Sequence, residues 1–336
     1  MIMRFLGNTG IKVSGLCFGT MTFGGRGGWK VVGELGQKEA DSLVNMALDA
    51  GVNFFDTADV YSEGLAEEML GKALGSKRKD VIVATKVRGT TGPGPNDVGL
   101  SRHHILEGCD QSLKRLGTDY IDLYQVHAFD DRTPLEETLK ALDDLVRQGK
   151  VRYVGCSNFA GWQLMKALAI SDAYGWERFV TLQAYYSLVA RELENELVPL
   201  CLDQGLGILP WSPLAGGFLS GKFRRGKARP EGARLSRPES RVVQFDEEKG
   251  FDIVEELDRI AEEHKATVAQ AALNYLLRKP GVCSAIIGAK TPEQLADNLK
   301  TVNWEMTSEE VTKLDELSQP PRPYPYWMLE AGRQGR

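Results

Sequence analysis

The sequence has few of the features that mark membrane, disulfide-rich or metal-binding proteins. Among its 336 residues no apolar run approaches the roughly 18 residues of a membrane helix, and no signal peptide is recognisable. The five cysteines lie far apart without a C-x-x-C pair, which predicts reduced thiols and a cytoplasmic protein. The four histidines lack zinc-site spacing, so we predict no metal. A net charge of −5 argues against nucleic-acid and acidic-membrane partners.

What the sequence does contain is an alternation of short apolar runs and amphipathic helical patterns. Eight such runs are predicted strands, and a helical pattern follows each one. They are Leu16–Gly19, Val52–Phe55, Val81–Thr85, Ile121–Val126, Val151–Gly155, Phe179–Leu182, Leu206–Pro210 and Ser284–Ile287. Strands that alternate with helices form parallel sheets, and eight units in about 250–300 residues match a closed (β/α)8 TIM barrel.

The glycine pattern excludes the competing doubly wound sheet. That fold needs G-x-G-x-x-G opening a helix after an early strand, whereas Gly24-Gly25-Arg26-Gly27-Gly28 has the wrong spacing and no helix directly after it. We also predict an N-terminal hairpin between Met3 and Val13 that closes the bottom of the barrel. Extra helices are expected after the seventh strand, where two helical patterns, Glu247–His264 and Val268–Arg278, follow a long loop, and at the C-terminus. Without linkers or repeats, residues 1–336 are predicted to form one domain.

Four chemically active side chains fall at neighbouring strand ends, where such barrels carry their active sites. Asp56 ends the second predicted strand, Lys86 the third and His127 the fourth, and Tyr61 follows Asp56 by five residues. Each has an ordinary alternative: a turn cap, a solvated amine, a structural histidine or a rim aromatic. Together they favour a site, because Lys and Asp are poor choices at a buried strand end unless paired.

These four side chains predict a general acid with a shifted pKa. It would protonate a carbonyl oxygen as the carbonyl carbon gains hydride. A free tyrosine has a pKa of about 10, and a nearby ammonium favours the phenolate, so we expect Lys86 to lower the pKa of Tyr61. Asp56 would hold the lysine charged, and a neutral His127 could orient the carbonyl oxygen. The hydride must come from a cofactor.

Several segments resemble signatures of the aldo-keto reductase superfamily, in the right order over nearly the whole chain. They are Asp56-Thr57-Ala58-Asp59-Val60-Tyr61, Thr85-Lys86, Gln125-Val126-His127, Gly155-Cys156-Ser157-Asn158-Phe159, Leu209-Pro210-Trp211-Ser212-Pro213-Leu214, and Ile287 to Gln294 with Asn298. The nearest branch is a bacterial one that also resembles potassium-channel β subunits, through Trp211 to Ala215 and Ser220-Gly221-Lys222.

The resemblance implies a catalytic tetrad of Asp56, Tyr61, Lys86 and His127, with Tyr61 as general acid, and NADP(H) as cofactor. It implies that Trp211 stacks on the nicotinamide, although this tryptophan could equally be core filler. Ser157 and Asn158 could likewise be only a helix cap. The other implied cofactor residues are Thr20, Gln183, Ser212, Pro213, Leu214, Gly216, Gly288, Lys290, Gln294, Asp297 and Asn298, with Ser157, Asn158 and Gln183 at the carboxamide.

A basic loop, Lys222–Arg241, follows the seventh strand. It carries eight basic residues against two acidic ones, a net +6 in an acidic chain. A solvated surface loop is the ordinary interpretation, and nucleic-acid binding lacks the interleaved aromatics it would need. We favour a clamp on a dinucleotide, in which Lys222 and Arg234 act with Lys290, beside the predicted helix cap Thr291-Pro292. This arrangement predicts a preference for NADPH over NADH.

The leading functional hypothesis is an NADPH-dependent reductase of a small-molecule aldehyde or ketone. A redox-sensing regulatory subunit and an NAD(P)-linked sugar or alcohol dehydrogenase stay open as alternatives, as do a monomer and a homo-oligomer. Trp29, Arg88 and Phe129 are the candidate substrate residues, and the tail Tyr324–Trp327 is expected at the pocket mouth. Aromatics with an arginine suit a sugar-like or anionic aldehyde and, nearly as well, an aromatic one.

Overall fold

A ring of parallel strands forms the centre of the molecule. The computed structural model describes residues 1–237 and 243–333. The ring strands are β3 (Leu16–Gly19), β4 (Phe54–Asp56), β5 (Ile82–Val87), β6 (Ile121–Val126), β7 (Val151–Ser157), β8 (Phe179–Tyr185), β9 (Gly207–Trp211) and β10 (Ala285–Ile287). They pair in the order β10-β3-β4-β5-β6-β7-β8-β9, and each pairing is parallel.

Backbone hydrogen bonds bring the two ends of this sheet together. The N–H of Ile208 in β9 donates to the carbonyl of Gly281 at 2.8 Å, and the N–H of Cys283 donates to the carbonyl of Ile208 at 3.0 Å. Gly281 and Cys283 lie just before β10 in the chain, so these bonds join β9 to the start of β10. The sheet therefore curls into a barrel, which confirms the predicted (β/α)8 architecture.

Helices surround the barrel and bury one apolar stripe each. In α4, for example, Leu135, Leu139 and Leu142 are buried at the helical spacing of four and three residues. The helices are α1 (Gln37–Asp49), α2 (Leu65–Leu74), α3 (Arg102–Leu116), α4 (Leu135–Arg147), α5 (Gly161–Tyr174), α6 (Leu197–Gln204), α7 (Glu247–Glu263), α8 (Val268–Arg278), α9 (Pro292–Leu299), α10 (Ser308–Ser318) and α11 (Tyr326–Arg333). The predicted extra helices are α7 after β9 and α10 and α11 at the C-terminus.

An N-terminal hairpin closes one end of the barrel. Strands β1 (Met3–Phe5) and β2 (Lys12–Ser14) pair antiparallel. Leu6, which follows β1, and Val13 in β2 are fully buried in a small apolar cluster with residues of β4, β6 and β9. The predicted hairpin is thus confirmed, and it leaves the carboxyl ends of the strands as the open end of the barrel.

A few boundaries differ from the sequence prediction. Strands β7 and β8 continue to Ser157 and Tyr185, because Ser157 pairs with Gln183 although both side chains are polar. Helix α6 begins at Leu197, since Glu192–Glu194 forms a separate 3-10 turn. All five cysteines are buried and free. Within residues 1–237 and 243–333, no helix combines the length and apolar content needed to cross a membrane.

Candidate active site

The buried ammonium of Lys86 lies at the centre of the site. Lys86 comes from β5, Asp56 ends the adjacent β4, and Tyr61 begins the 3-10 turn that follows. The Nζ of Lys86 donates to Asp56 Oδ1 at 2.5 Å and to the carbonyl oxygen of Thr57 at 2.7 Å. It also donates to the hydroxyl of Tyr61 at 3.4 Å. The three side chains are therefore joined through one ammonium.

The partners of Lys86 keep it charged although its side chain is fully buried. Burial alone would lower the pKa of this lysine. The Asp56 carboxylate and the Tyr61 hydroxyl outweigh that effect, so the pKa of Lys86 is raised. A fixed positive charge beside the tyrosine hydroxyl results.

The expected lowering of the Tyr61 pKa is wrong for the resting site. Only 8% of Tyr61 is exposed, and burial, which disfavours the phenolate, raises its pKa. Lys86 acts in the opposite direction but does not outweigh the burial, which the Asp56 carboxylate reinforces. Tyr61 is therefore a neutral phenol that carries its proton at neutral pH.

His127 is a neutral imidazole beside this phenol. It follows the end of β6, and its ring meets the edge of the Tyr61 ring with centroids 5.9 Å apart. Burial, together with the positive charges of Lys86 and Arg88, lowers the pKa of His127 to about 3. A neutral imidazole can hydrogen-bond to a carbonyl oxygen without adding charge to the site.

Two amides hold the second oxygen of Asp56, and the sequence analysis did not assign them this role. Gln183 Nε2 donates to Asp56 Oδ2 at 2.8 Å, and Gln125 Nε2 donates to the same oxygen at 3.2 Å. Gln125 is fully buried in β6. The signal was a polar residue inside an apolar strand, two residues after the inward-facing Leu123. Gln183 was predicted at the carboxamide, whereas here it orients Asp56.

Asp59 is a buried carboxyl that the sequence analysis quoted but did not use. It is 2% exposed, and within the described residues neither of its oxygens has a side-chain hydrogen-bond partner. Burial, and then the nearby Glu67 carboxylate, raise its pKa well above the ordinary value. Burial at this position therefore favours the neutral form of Asp59 over the carboxylate. Glu67 itself is paired with Arg115 at 2.6 Å.

A polar bridge crosses the open end of the barrel from β6 to β9. Asn158 Nδ2 donates to the carbonyl of His127 at 2.9 Å and to Ser157 Oγ at 3.0 Å. The indole N–H of Trp211 donates to Asn158 Oδ1 at 3.1 Å. Trp211 stacks on Tyr185, with centroids 4.9 Å apart. The structure thus joins three of the predicted cofactor residues, Ser157, Asn158 and Trp211, to the tetrad.

Strained backbone conformations occur at the ends of alternate barrel strands. Arg88 after β5, Asn158 after β7 and Ser212 after β9 have φ of 143°, 55° and 51°. Such angles are costly for residues other than glycine and concentrate at functional sites. Their placement at one end of the barrel agrees with the position of the predicted site.

The loop after β9 forms a tight turn beneath Lys222. The N–H of Gly216 donates to Ser212 Oγ at 3.0 Å, and Gly216 and Gly217 have φ of 66° and 94°. A side chain at Gly217 would meet Lys222 Nζ at 3.0 Å, so glycine permits this close approach. Of the other predicted residues here, Pro213 is buried and Leu214 is half-buried.

Three predicted cofactor cations influence one another across this loop and the start of α9. Desolvation and the Arg234 guanidinium lower the pKa of Lys222. Desolvation, and then Arg234, Arg237 and Lys222, lower the pKa of Lys290. Like charges brought this close repel each other, and an anion placed among them would relieve the repulsion. The three residues Lys222, Arg234 and Lys290 are called the cation cluster below.

The N-terminus of α9 is capped as predicted. The side chain of Thr291 accepts a hydrogen bond from the N–H of Gln294, and Pro292 is the first helical residue. Gln294 Oε1 accepts from the N–H of Lys290 at 2.9 Å. A side chain added at Gly288 would meet no atom within 4 Å, so space is open in front of this segment.

The remaining predicted cofactor residues are less directly placed. Asn298 is buried in α9. The carboxylate of Asp297 accepts from Thr267 Oγ1 at 2.9 Å and from Gln270 Nε2 at 2.7 Å, which ties α9 to the start of α8. Thr20 Oγ1 is buried beside Asp56 with no hydrogen-bond partner among the described residues.

Much of the basic loop pairs with helix α7 instead of facing the cation cluster. Arg224 donates to Asp258 at 2.9 Å, Arg225 to Asp252 at 2.5 Å and Arg229 to Glu247 at 2.6 Å. These arginines are neutralised by the acidic face of α7. The clamp hypothesis is therefore restricted to Lys222 and Arg234, while Glu239 and Arg241 lie outside the described residues.

Two of the predicted substrate residues act on the tetrad: Trp29 contacts Tyr61, and the charge of Arg88 helps to lower the pKa of His127. The Trp29 ring meets the Tyr61 ring edge-on, with centroids 5.1 Å apart. Arg88 Nε donates to the carbonyl oxygen of Phe129 at 3.1 Å, and the Phe129 ring packs against Trp162 at 6.0 Å.

The C-terminal tail lies at a different place. Tyr326 and Leu329 line a cleft of about 510 Å³ with Arg191 and Asp315, and none of the tetrad residues lines that cleft. Tyr324 and Trp327 are 73% and 54% exposed. The expectation that the tail contributes to the pocket mouth finds no support in this arrangement.

Comparison with known proteins identifies the family. The family model described as "Aldo/keto reductase family" matches residues 15–319. The chain is 41% identical to the uncharacterized oxidoreductase YrpG of Bacillus subtilis, over 94% of this chain and 96% of that protein. It is 35% identical to a versiconal hemiacetal acetate reductase of Aspergillus parasiticus, over 95% and 98%.

A third relative carries a different description. The chain is 38% identical to a probable voltage-gated potassium channel subunit beta of Arabidopsis thaliana, over 97% of this chain and 100% of that protein. These matches span almost the whole chain and, at these identities, imply a shared fold and family. The chain belongs to the aldo/keto reductase family.

Proposed function

We propose that this protein is an NADPH-dependent reductase of aldehydes or ketones in which Tyr61 gives the proton to the carbonyl oxygen. The observation that carries the proposal is the ammonium of Lys86, which bonds Asp56 on one side and the Tyr61 hydroxyl on the other. The oxidoreductase names of two relatives support the reaction class.

The chain's residues fit a dinucleotide. The cation cluster would hold its phosphates, because burial and the Arg234 guanidinium lower the pKa of both Lys222 and Lys290, and an anion there would offset both effects. The N-terminus of α9 adds backbone N–H groups and a positive helix end next to Lys290. Thr20, whose buried hydroxyl has no hydrogen-bond partner among the described residues, and the Asn158–Trp211 pair would hold the nicotinamide end. When bound, NADPH would supply the hydride.

The proton transfer rests on the charges of the chain's own side chains. Tyr61 is neutral and therefore has a proton to give. As the proton moves from the phenol oxygen to the carbonyl oxygen, negative charge develops on Tyr61. The Lys86 ammonium, held by Asp56 at 2.5 Å, stabilises that charge. A neutral His127 would hydrogen-bond to the carbonyl oxygen and orient it.

A second candidate is a regulatory subunit with slow turnover. It draws support from the 38% identity to a protein described as a potassium channel subunit. The complete set of Tyr61, Lys86, Asp56 and His127 favours turnover instead. Steady-state oxidation of NADPH by simple aldehydes distinguishes the two, because a regulatory subunit would show little or no sustained rate.

The decisive variant is Tyr61→Phe, which keeps the ring and removes the proton. We expect kcat to fall by about two to four powers of ten while NADPH still binds. Tyr174→Phe is the matched control, since Tyr174 is 62% exposed on α5. The assay is NADPH absorbance with an aldehyde panel, together with fluorescence titration of NADPH. Near wild-type turnover of Tyr61→Phe would exclude Tyr61 as the proton donor.

A further inference from the structure

Arg88 occupies an unusual position two residues after Lys86. Its φ of 143° is a conformation that L-residues rarely adopt. The N–H of Gly99 donates to its carbonyl at 2.9 Å, so the loop that follows β5 closes back onto this residue. Strain of this kind persists only where the surrounding structure fixes it, and it directs the Arg88 side chain to a defined place.

One hydrogen bond anchors the guanidinium and leaves its outer edge available. Arg88 Nε donates to the carbonyl oxygen of Phe129 at 3.1 Å. In the described part of the chain, the two Nη groups carry no hydrogen bond and no ion pair. The side chain is half-buried, so its position is restricted while the edge that can bind an anion remains accessible.

Asp130, a carboxylate whose pKa Arg88 helps to lower, is already occupied by other donors. Asp130 accepts hydrogen bonds from the N–H of Leu100 at 2.7 Å, the N–H of Arg132 at 3.0 Å and Thr133 Oγ1 at 2.8 Å. These donors fix the loop beside β6 and use both oxygens of Asp130. Arg88 therefore contributes a positive charge that the described residues do not pair directly.

This charge lies beside the reacting end of the site. With burial and Lys86, Arg88 contributes to the depressed pKa of His127. The Phe129 ring, whose backbone holds Arg88, continues into Trp162, which is 61% exposed. A substrate whose carbonyl oxygen reaches Tyr61 and His127 would extend past Arg88 along these aromatic rings.

We propose that Arg88 binds a carboxylate carried by the substrate, so that aldehydes bearing a carboxylate on a planar frame are the preferred substrate class. The inference rests on the proposed reductase function. A carboxylate fits better than a phosphate, because a single guanidinium binds the two oxygens of one carboxylate through its fork of N–H groups. His127 is neutral and therefore supplies no second positive charge for a phosphate.

The test compares a charged substrate with a neutral one built on the same aromatic aldehyde. We would measure kcat/KM with NADPH for 4-formylbenzoate and for its neutral methyl ester. Wild type should favour the acid by at least tenfold. Arg88→Gln should lower kcat/KM for the acid by about 10- to 100-fold and change that for the ester by less than threefold. Arg132→Gln, at a side chain 91% exposed on the neighbouring loop, is the control and should keep the preference.

Two further variants test whether the loss of preference in Arg88→Gln could come from an altered fold of the loop. Arg88→Gly removes the strain at φ 143° and should be at least as stable as wild type, yet it should lose the preference as Arg88→Gln does. Arg88→Lys keeps the charge without the fork and should retain part of the preference. Equal efficiency of wild type on the acid and the ester would overturn the proposal, as would a preference that survives in both Arg88→Gln and Arg88→Gly.

Binding without turnover separates this proposal from the reductase function. Calorimetry would compare 4-(hydroxymethyl)benzoate with its primary amide, on wild type and Arg88→Gln. Tenfold tighter binding of the acid that disappears in Arg88→Gln supports the carboxylate subsite even if no aldehyde is reduced, in which case only the reductase proposal fails. Equal binding of acid and amide overturns the subsite.

Discussion

Replacing Lys86 and replacing Asp56 should lower the free energy of unfolding by unequal amounts, although both side chains belong to the same buried pair. In Lys86→Met the Asp56 carboxylate keeps its two amide donors but loses the ammonium, which lies 2.5 Å away in the wild type. Because Asp56 is only 3% exposed, water does not replace that ammonium. Removing one partner of such a pair costs about 3–5 kcal/mol of unfolding free energy. In Asp56→Asn the ammonium keeps the Thr57 carbonyl and has an amide oxygen in place of the carboxylate oxygen, while the new amide nitrogen faces the donors of Gln183 and Gln125. We therefore expect a loss of about 1–3 kcal/mol.

The double variant Lys86→Met with Asp56→Asn tests whether the loss comes from the unpaired charge. It leaves no buried charge at the pair, so its loss should be smaller than the sum of the single losses by about 2 kcal/mol or more. The assay is urea unfolding followed by circular dichroism. Lys227→Met, at an exposed lysine, is the control and should change stability by less than about 0.5 kcal/mol. Additive losses in the cycle would refute the coupling.

The pH dependence gives an independent check on the same lysine. Because the pKa of Lys86 is raised above its ordinary 10.5, the folded state holds this proton more tightly than the unfolded chain. The resulting stability is fully present below pH 10.5 and is lost as the pH rises through the folded-state pKa. Wild type should therefore lose more stability than Lys86→Met above pH 10.5, and parallel curves would contradict the raised pKa.

Three further predictions concern the rest of the site. The pKa of His127 is lowered to about 3 in the folded protein, so the unfolded chain binds this proton first as the pH falls. Between pH 7 and 4.5 the wild type should therefore lose about 2 kcal/mol of unfolding free energy that His127→Gln does not lose, as measured by urea unfolding. Wild type should prefer NADPH over NADH by at least tenfold in kcat/KM. Lys290→Met should reduce that preference, and high salt should weaken it, because Lys290 is exposed. NADPH should quench tryptophan fluorescence, and Trp211→Ala should remove most of the quench and weaken binding by roughly 1–3 kcal/mol.

The barrel could be predicted because its strands are short apolar runs separated by amphipathic helices. The parallel arrangement then placed Asp56, Lys86 and His127 at one end without any knowledge of side-chain contacts. The two amides on Asp56 could not be predicted in the same way. Their role depends on Gln125 and Gln183 both pointing inward at matching heights, which requires the register of strands β6 to β8.

The basic loop shows how a charge count along the sequence can mislead. Its arginines were counted as one positive patch, yet Arg224, Arg225 and Arg229 are neutralised by side chains of α7 some 18 to 34 positions later. The sequence did contain a signal, since the α7 acids at positions 248, 252, 255 and 258 recur at helical spacing along one face. What it could not supply was the path of the loop back onto that helix.

The pKa of Tyr61 depends on a balance that adjacency in the sequence does not determine. Lys86 favours the phenolate, but the phenol is buried, and the loss of solvation is the larger effect. A group acting as an acid must carry its proton before the reaction, so the raised pKa agrees with the proposed role of Tyr61. The Lys86 ammonium then matters most once charge has formed on the oxygen, and by microscopic reversibility the same pair could accept a proton when an alcohol is oxidised. Under the proposed function, the cofactor form and substrate that bind set the direction of turnover, and Tyr61 would donate the proton in reduction and accept it in oxidation.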